Sequence, residues 1–251
     1  MSIDELSFEL PGGGRGLFTT RAHGNLSSVG GDCAEHGRRS RERLRDSLGV
    51  RRIVRGYQVH GTVVGRVFDD GAGPRRATSL EDGEEARPPT FEDDGEDTRR
   101  PTFQADGHAV SAHDVAAMVL AADCIPVVLG ADGAVAALHA GWRGLAAGVL
   151  EEGVRALRDV GGQGDVLAVV GPCAGACCYE VGEEVHSAFG DAHRHGRLID
   201  LRALARDRLL GAGVAEVRDA PLCTICDERF FSYRREGARA GRQAGVAWLT
   251  R

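Results

Sequence analysis

The chain of 251 residues contains no lysine; all 31 of its basic residues are arginine. That absence excludes Schiff-base chemistry, a phosphate-binding P-loop lysine and any lysine general base. Long apolar runs are missing too: no stretch approaches the roughly 20 residues needed to span a bilayer, so a membrane partner is not expected. The first residues, MSIDELSFELPGGG, carry two early acids and no basic start before an apolar run, which does not read as a secretory signal and leaves a cytoplasmic setting as the expectation. Aromatics make up 5% of the residues, with two tryptophans. The seven cysteines are odd in number, and without an export signal they read as thiols rather than disulfides. A formal charge of -6 gives no reason to expect nucleic acid as a partner. The sequence assigns no oligomeric state.

A hydrophobic content of 42% and a charged content of 27% fit an ordinary globular protein. Residues 1–251 read as a single domain with one segment set apart, at about 69–100. There eleven acids face five arginines, so this segment alone carries the net charge of the chain. RPPTFEDDG within it is echoed twelve residues later by RRPTFQADG. Acid, proline and glycine without apolar periodicity predict a solvated, mobile insertion, read here as lying within a hairpin.

Elsewhere strand and helix patterns alternate. RRIVRGYQVHGTVVGRVF suggests strands flanking a bend at Gln58 to Gly61. DVAAMVLAADCIPVVLGADGAVAALHAGW reads as strand, break, strand, turn, strand. GLAAGVLEEGVRALRDV places Leu145, Val149, Val154 and Leu157 at helical spacing. GDVLAVVGP is a short buried strand, DLRALARDRLLGAG a helix capped by Asp200, and AGVAWLTR a closing strand. The fold class is α/β of the α+β type: largely antiparallel mixed sheets sandwiched by helices.

Chemistry concentrates in CIPVVLGADGAVAALHAGWRG. Asp132-Gly133 is a strong two-residue hairpin signal. With those as turn residues, His139 lies opposite Pro126, and Cys124, two residues beyond, faces the same side. A three-residue turn would slip the register and separate them. His60 in YQVHGTVV supplies a third donor beside a glycine. A Cys/His/His set gives zinc three protein ligands and leaves one position open, which is the catalytic arrangement. Asp123 would then be a general acid or base, and Arg143 an anion clamp. The competing reading makes Cys124 a buried core thiol and His139 a hydrogen-bonded turn residue.

Other signals are weaker. Cys173, Cys177 and Cys178 in GPCAGACCYEVGEEV, with Cys223 and Cys226 in CTIC, suggest a zinc knot, but CAGACC lacks the usual paired spacing. Small residues packed under a glycine-rich turn are the preferred reading. His193 and His195 read as solvated, and the glycines of PGGGRG precede no helix.

The blocks FTTRAHGNLS, QVHG, AADCIPVVL, LHAGWRG, GPCAGACCYEVG and CTICDERFFSYRREGARAGRQAGVAWL occur in that order. Together they resemble the signature of the YfiH family, also called the laccase-domain or multicopper polyphenol oxidoreductase family. The resemblance spans nearly the whole chain outside the acidic segment. It implies one α/β domain and a zinc held by His60, Cys124 and His139. It also implies phosphorolysis of adenosine, inosine and methylthioadenosine to free base and pentose 1-phosphate, with adenosine deamination as a side activity. Purine nucleosides and phosphate are then the partners. Arg143, with Arg21 or Arg235, would hold phosphate, and Gln58 would line the substrate site; in deamination the metal would acidify a water. Cys173-Ala174 stand where the family usually has Ser-Ile, and AHGNLSS replaces a more glycine-rich stretch at the substrate lip.

Three rival readings follow from the same residues. Copper in place of zinc would make the chain a phenol oxidase, but blue copper wants a weak axial ligand and neither Met1 nor Met118 is obviously placed for it. A metal-free Cys124–His139 dyad would make it a hydrolase, and His60 separates that case from the metal enzyme. A binding module without catalysis is disfavoured by the polar groups around Cys124. A peptidoglycan-editing role, attached to relatives, is not addressed by the sequence.

Overall fold

Asp132 and Gly133 do form a tight reversal, with Gly133 in the left-handed region at φ 82°, where only glycine is unstrained. The strands on either side, β7 (Ile125–Asp132) and β8 (Ala134–Ala140), pair antiparallel with Ala131 opposite Ala134 and Pro126 opposite His139. This is the register read from the sequence. The computed structural model describes residues 6–27, 34–68 and 103–250. The acidic segment at 69–100 lies outside the described residues.

Two sheets are built around this hairpin. One runs β12 (Glu216–Asp219), β9 (Gln163–Val170), β7, β8, β5 (Gly107–Val110), β4 (Val64–Val67). The other runs β1 (Ser7–Leu10), β2 (Gly14–Phe18), β13 (Gln243–Leu249), β6 (Val115–Ala121), β3 (Arg52–Val54). Most pairings are antiparallel, including a separate short ribbon of β10 (Arg194–His195) and β11 (Leu198–Ile199); β3 with β6, β4 with β5 and β9 with β12 are parallel.

Side-chain alternation along β7 and β8 explains the layering. Val127, Leu129, Ala136 and Leu138 face one way, into a core shared with α3 (Val149–Asp159), α4 (Glu183–Ala188) and α5 (Leu201–Gly211). Val128, Val135 and Ala137 face the other way and pack on Phe18, Val119 and Ala247 of the second sheet. The far side of that sheet buries Met118, Val246 and Trp248 against Leu44 of α1 (Ala34–Leu48). The order is helices, sheet, sheet, helix, as expected. Each fully buried Leu or Val contributes about 1.5–3 kcal/mol relative to exposure, so the strands that carry the site belong to the most strongly held part of the fold.

Two sequence expectations need correction. β4 and β5 flank the acidic segment but pair parallel, Val64 with Gly107. The connection is therefore a crossover and not a hairpin insertion, since parallel neighbours require the chain to return to the same end. The helix read across residues 144–160 is two helices, α2 (Trp142–Ala147) and α3, divided at Gly148 with φ 99°. Asp200 caps α5 as expected, accepting from the Ala203 N–H at 3.0 Å.

Candidate metal centre

Strand parity puts His139 on the same face of β8 as Val135 and Ala137, toward the layer between the sheets. Cys124 immediately precedes β7 with the parity of Pro126, so both meet at one end of that layer. His60 arrives from the loop between β3 and β4. A ligand atom from each of the three lies within 4.8 Å of the other two. Cys124 Sγ is 3.7 Å from His60 Nε2, and the two imidazole rings meet edge to face with centroids 4.9 Å apart. Tetrahedral zinc with bonds of about 2.0 Å to nitrogen and 2.3 Å to sulfur spaces two nitrogens about 3.3 Å apart and a nitrogen and a sulfur about 3.5 Å apart. The donor set therefore fits a borderline-soft divalent metal, with a further position left to solvent or substrate.

One carboxylate organises both histidines. Asp106, fully buried, binds His139 Nδ1 at 2.8 Å through Oδ1. It also accepts the backbone N–H groups of Val59, His60 and Gly61 at 3.2, 2.9 and 2.8 Å. Nδ1 is thereby committed and Nε2 is left as the ligand atom, the usual carboxylate–histidine–metal relation. Sequence reasoning missed Asp106. Its only trace was an Asp-Gly before a strand, and its position opposite His139 depends on the β5–β8 pairing of Gly107 with Leu138.

The glycines of HAGWRG are explained by the histidine loop. A Cβ on Gly141 would lie 2.4 Å from His60 Cδ2 and 3.3 Å from Cys124 Sγ. One on Gly144 would lie 2.8 Å from the Gly61 carbonyl oxygen. His60 and Asp123 both hold positive φ, 60° and 88°, an uncommon state for non-glycine residues that aspartate and histidine adopt more readily than most.

Charge is shared unequally across the ligands. Burial opposes ionisation of Cys124, but the neighbouring His139, with hydrogen bonds from both imidazoles, overrides it and draws the thiol down to about 6. Burial likewise opposes protonation of His139, and the Cys124 thiolate with Asp106 overrides it, raising the imidazole to about 9. Asp106 is pushed up by burial and pulled further down by His139 and the loop N–H groups, ending below the ordinary carboxylate range. A thiolate is thus present near neutral pH, the form a metal requires.

The remaining expected site residues fall around this centre. Arg143 is exposed and stacks on the Trp142 ring at 4.2 Å, and among the described residues no carboxylate pairs with it. Asp123 accepts from Thr224 Oγ1 at 2.7 Å, Ser232 Oγ at 3.1 Å and the Arg234 N–H at 2.6 Å. Gln58 exchanges both of its amide hydrogen bonds with the Leu120 backbone, at 2.7 and 2.8 Å. Arg21 donates to the Phe230 carbonyl at 3.0 Å, pairs with Glu236 and lies over the Phe231 ring. Arg235 donates to the carbonyls of Thr224 and Ile225 at 2.9 and 2.8 Å and to Glu236.

Two neighbours escaped the sequence reading. Burial, then the Cys124 charge, push Tyr179 up to about 12. Burial lowers Arg242 against the opposing fields of Cys124 and Asp123. Both lie within the blocks GPCAGACCYEVG and CTICDERFFSYRREGARAGRQAGVAWL, where no local signal sets them apart. Tyr179 and Trp142, with Val181, Val185 and Arg234, line an open cavity of about 380 Å³ that adjoins the ligands without containing them. His193 is bound to Asp207 and His195 is exposed, both away from the centre. Cys173 is buried as expected, but Cys177, Cys178, Cys223 and Cys226 are not packed core thiols: their sulfurs converge on one another.

Residues 14–250 match the family described as multi-copper polyphenol oxidoreductase laccase. A Xylella fastidiosa (strain Temecula1) protein named purine nucleoside phosphorylase is 38% identical over 243 residues, covering 90% of this chain and 84% of its own length. A Corynebacterium glutamicum protein of the same name is 30% identical, covering 94% of each chain. Among solved structures, a Neisseria meningitidis protein superimposes with a TM-score of 0.76 at 31% identity, over 98% of this chain and 99% of its own. The Bacillus licheniformis hypothetical protein YfiH gives 0.74 at 25% identity, over 94% and 93%. On fold, motif and sequence, the chain belongs to the multi-copper polyphenol oxidoreductase laccase family, the family of YfiH.

Proposed function

We propose that the chain is a zinc-dependent purine nucleoside phosphorylase. It cleaves adenosine, inosine and methylthioadenosine with phosphate to free base and pentose 1-phosphate, and deaminates adenosine as a side activity. The observation that carries this reading is the open His60, Cys124 and His139 set held from behind by Asp106. The names of the relatives point the same way. His60, Cys124 and His139 would hold the metal, which supplies Lewis acidity toward an oxygen donor in its open position.

The chain's own residues do the rest. Arg143 stacks on Trp142, and no carboxylate among the described residues pairs with it, so its guanidinium would receive a phosphate dianion. Tyr179 and Trp142 give the adjoining cavity aromatic faces for a purine. Asp123, expected as a proton carrier, is assigned a positioning role: it binds Thr224, Ser232 and Arg234 and fixes the loops that flank Cys124. Gln58 is assigned likewise to holding the histidine loop against β6. Arg21 and Arg235, expected as phosphate ligands, brace the 224–236 loop through its carbonyls.

The donor set admits copper as well as zinc. Against a blue-copper phenol oxidase, Met118 packs on the α1 side of its sheet, away from the ligands, so it does not offer the axial thioether. A metal-free Cys–His hydrolase is the second reading, favoured by the thiolate–imidazolium pairing of Cys124 with His139.

The test is base release from a nucleoside panel with and without phosphate, on the wild type and on His60→Ala. Phosphate-dependent release, abolished by His60→Ala, is the expected outcome. Phosphate-independent turnover retained in His60→Ala would transfer the assignment to the hydrolase. Phenol oxidation on copper loading, without nucleoside cleavage, would transfer it to the oxidase.

A further inference from the structure

Four cysteine sulfurs converge on the side of the molecule where two loops meet. Cys178 Sγ lies 3.3 Å from Cys223 Sγ and 3.4 Å from Cys226 Sγ, while Cys177 Sγ lies 3.5 Å from Cys178 Sγ and 3.6 Å from Cys226 Sγ. All six sulfur–sulfur distances are within 4.8 Å. A metal bound to four sulfurs at about 2.3 Å spaces them about 3.8 Å apart, so the set has the size of a mononuclear tetrahedral cage. Polynuclear iron–sulfur clusters, whose cysteine ligands sit on different metals, need a wider spread.

The backbone is shaped for anionic sulfur. The Gly175 N–H donates to Cys223 Sγ at 3.2 Å, and the Cys226 N–H also reaches that sulfur. A Cβ on Gly175 would lie 3.3 Å from both Cys177 Sγ and Cys223 Sγ, so glycine is what lets the amide approach. Arg235 holds the carbonyls of Thr224 and Ile225, the two residues between Cys223 and Cys226, and brings a positive charge to the loop. The two segments are also joined by an isolated bridge between Cys173 and Cys223.

We propose that Cys177, Cys178, Cys223 and Cys226 form a second metal site, which holds one thiophilic divalent cation, zinc, in an all-sulfur tetrahedron. With no ligand position left for substrate, its role is to lock the 173–180 loop to the 221–228 loop. Both loops serve the first site: Tyr179 follows Cys178 directly, and Thr224, inside the CTIC turn, donates to Asp123 beside Cys124. Binding releases the thiol protons, so the ion is lost on acidification. The inference rests on the four sulfurs and not on the reaction assigned to the first site.

The test counts zinc per chain in protein purified under reducing conditions without chelator and then equilibrated with Zn²⁺. The wild type is expected to hold two equivalents, and His60→Ala and Cys223→Ser/Cys226→Ser one each. Co²⁺-loaded His60→Ala should show the intense sulfur-to-metal absorption of a tetrahedral thiolate site. In Zn²⁺-loaded His60→Ala the four thiols should resist Ellman's reagent until a chelator is added. A metal-free His60→Ala, a folded Cys223→Ser/Cys226→Ser variant that holds as much zinc as the wild type, or disulfides among these cysteines would overturn the proposal. If the double serine variant does not fold, the cobalt spectrum and thiol protection of His60→Ala decide the matter alone. Loss of the second ion with nucleoside cleavage intact would sink only its link to the first site, while two equivalents without nucleoside cleavage would leave this proposal standing and remove the phosphorylase.

Discussion

Asp106→Asn is the most informative single change at the metal centre, because it keeps the shape and reverses one hydrogen-bond polarity. The native carboxylate faces only donors: His139 Nδ1 and the N–H groups of Val59, His60 and Gly61. An asparagine must turn its NH₂ either toward His139 and the His60 N–H or toward the Gly61 and Val59 N–H groups, so one side is set donor against donor. Loss of a charged hydrogen bond at a buried site costs about 1.5–3 kcal/mol. Loss of an outer partner of a metal ligand weakens metal binding about 10- to 100-fold, or roughly 1.4–2.7 kcal/mol.

Zinc affinity would be read by competition with a chromophoric chelator, and stability by urea unfolding of the metal-free protein. The pH dependence has a definite sign. Asp106 is depressed below its ordinary range, so its stabilisation is present above the pKa of an unfolded aspartate and disappears as pH falls through the depressed value. The gap between wild type and variant should therefore narrow on acidification. Zinc affinity within twofold of the wild type, with equal stability at neutral pH, would refute the role given to this carboxylate.

Gly141→Ala should leave the fold intact but displace His60, whose Cδ2 would lie 2.4 Å from the new methyl; a zinc affinity at least tenfold weaker, measured by the same competition, is expected. His108 is buried with both ring nitrogens unpartnered among the described residues, and burial, reinforced by the Arg52 charge, lowers it to about 4. The unfolded state then binds the extra proton first, so stability is full above about pH 6.5 and falls toward pH 4, by about 3 kcal/mol across the window. His108→Leu should flatten that loss in urea titrations at stepped pH. In metal-free protein, alkylation of Cys124 by iodoacetamide should persist down to about pH 6, where its depressed pKa lies, and a midpoint near that of an ordinary thiol would deny the ion pair. Asp123→Asn, which loses an acceptor for Ser232 and the Arg234 N–H, should raise KM more than it lowers kcat; a collapse of kcat with KM unchanged would return Asp123 to proton transfer.

What could be read from the sequence was local. Asp132-Gly133 set the β7–β8 register, and with it the common face of Cys124 and His139, because a two-residue turn leaves no freedom in pairing. Asp200 announced its helix by the same local logic. The rest depends on contacts distant in the chain. Asp106 meets His139 only through the β5–β8 pairing, and no local signal shows that β5 lies beside β8. The parallel β4–β5 pair was hidden because the acidic segment between them resembles a loop of either topology. The helix break at Gly148 was invisible because one glycine inside a helical pattern is usually tolerated. The four sulfurs join residues separated by up to 49 positions, and CAGACC does not have the spacing of a single-loop zinc knuckle.

The central claim, that His60, Cys124 and His139 grip one divalent ion, is tested most directly by anomalous scattering from crystals grown with zinc, recorded on both sides of the zinc edge. The account expects a peak about 2.0–2.1 Å from a ring nitrogen of each histidine and about 2.3 Å from Cys124 Sγ, with Asp106 still bound to His139 Nδ1. A map without density between the three side chains, or with the sulfur turned away from both rings, would contradict it.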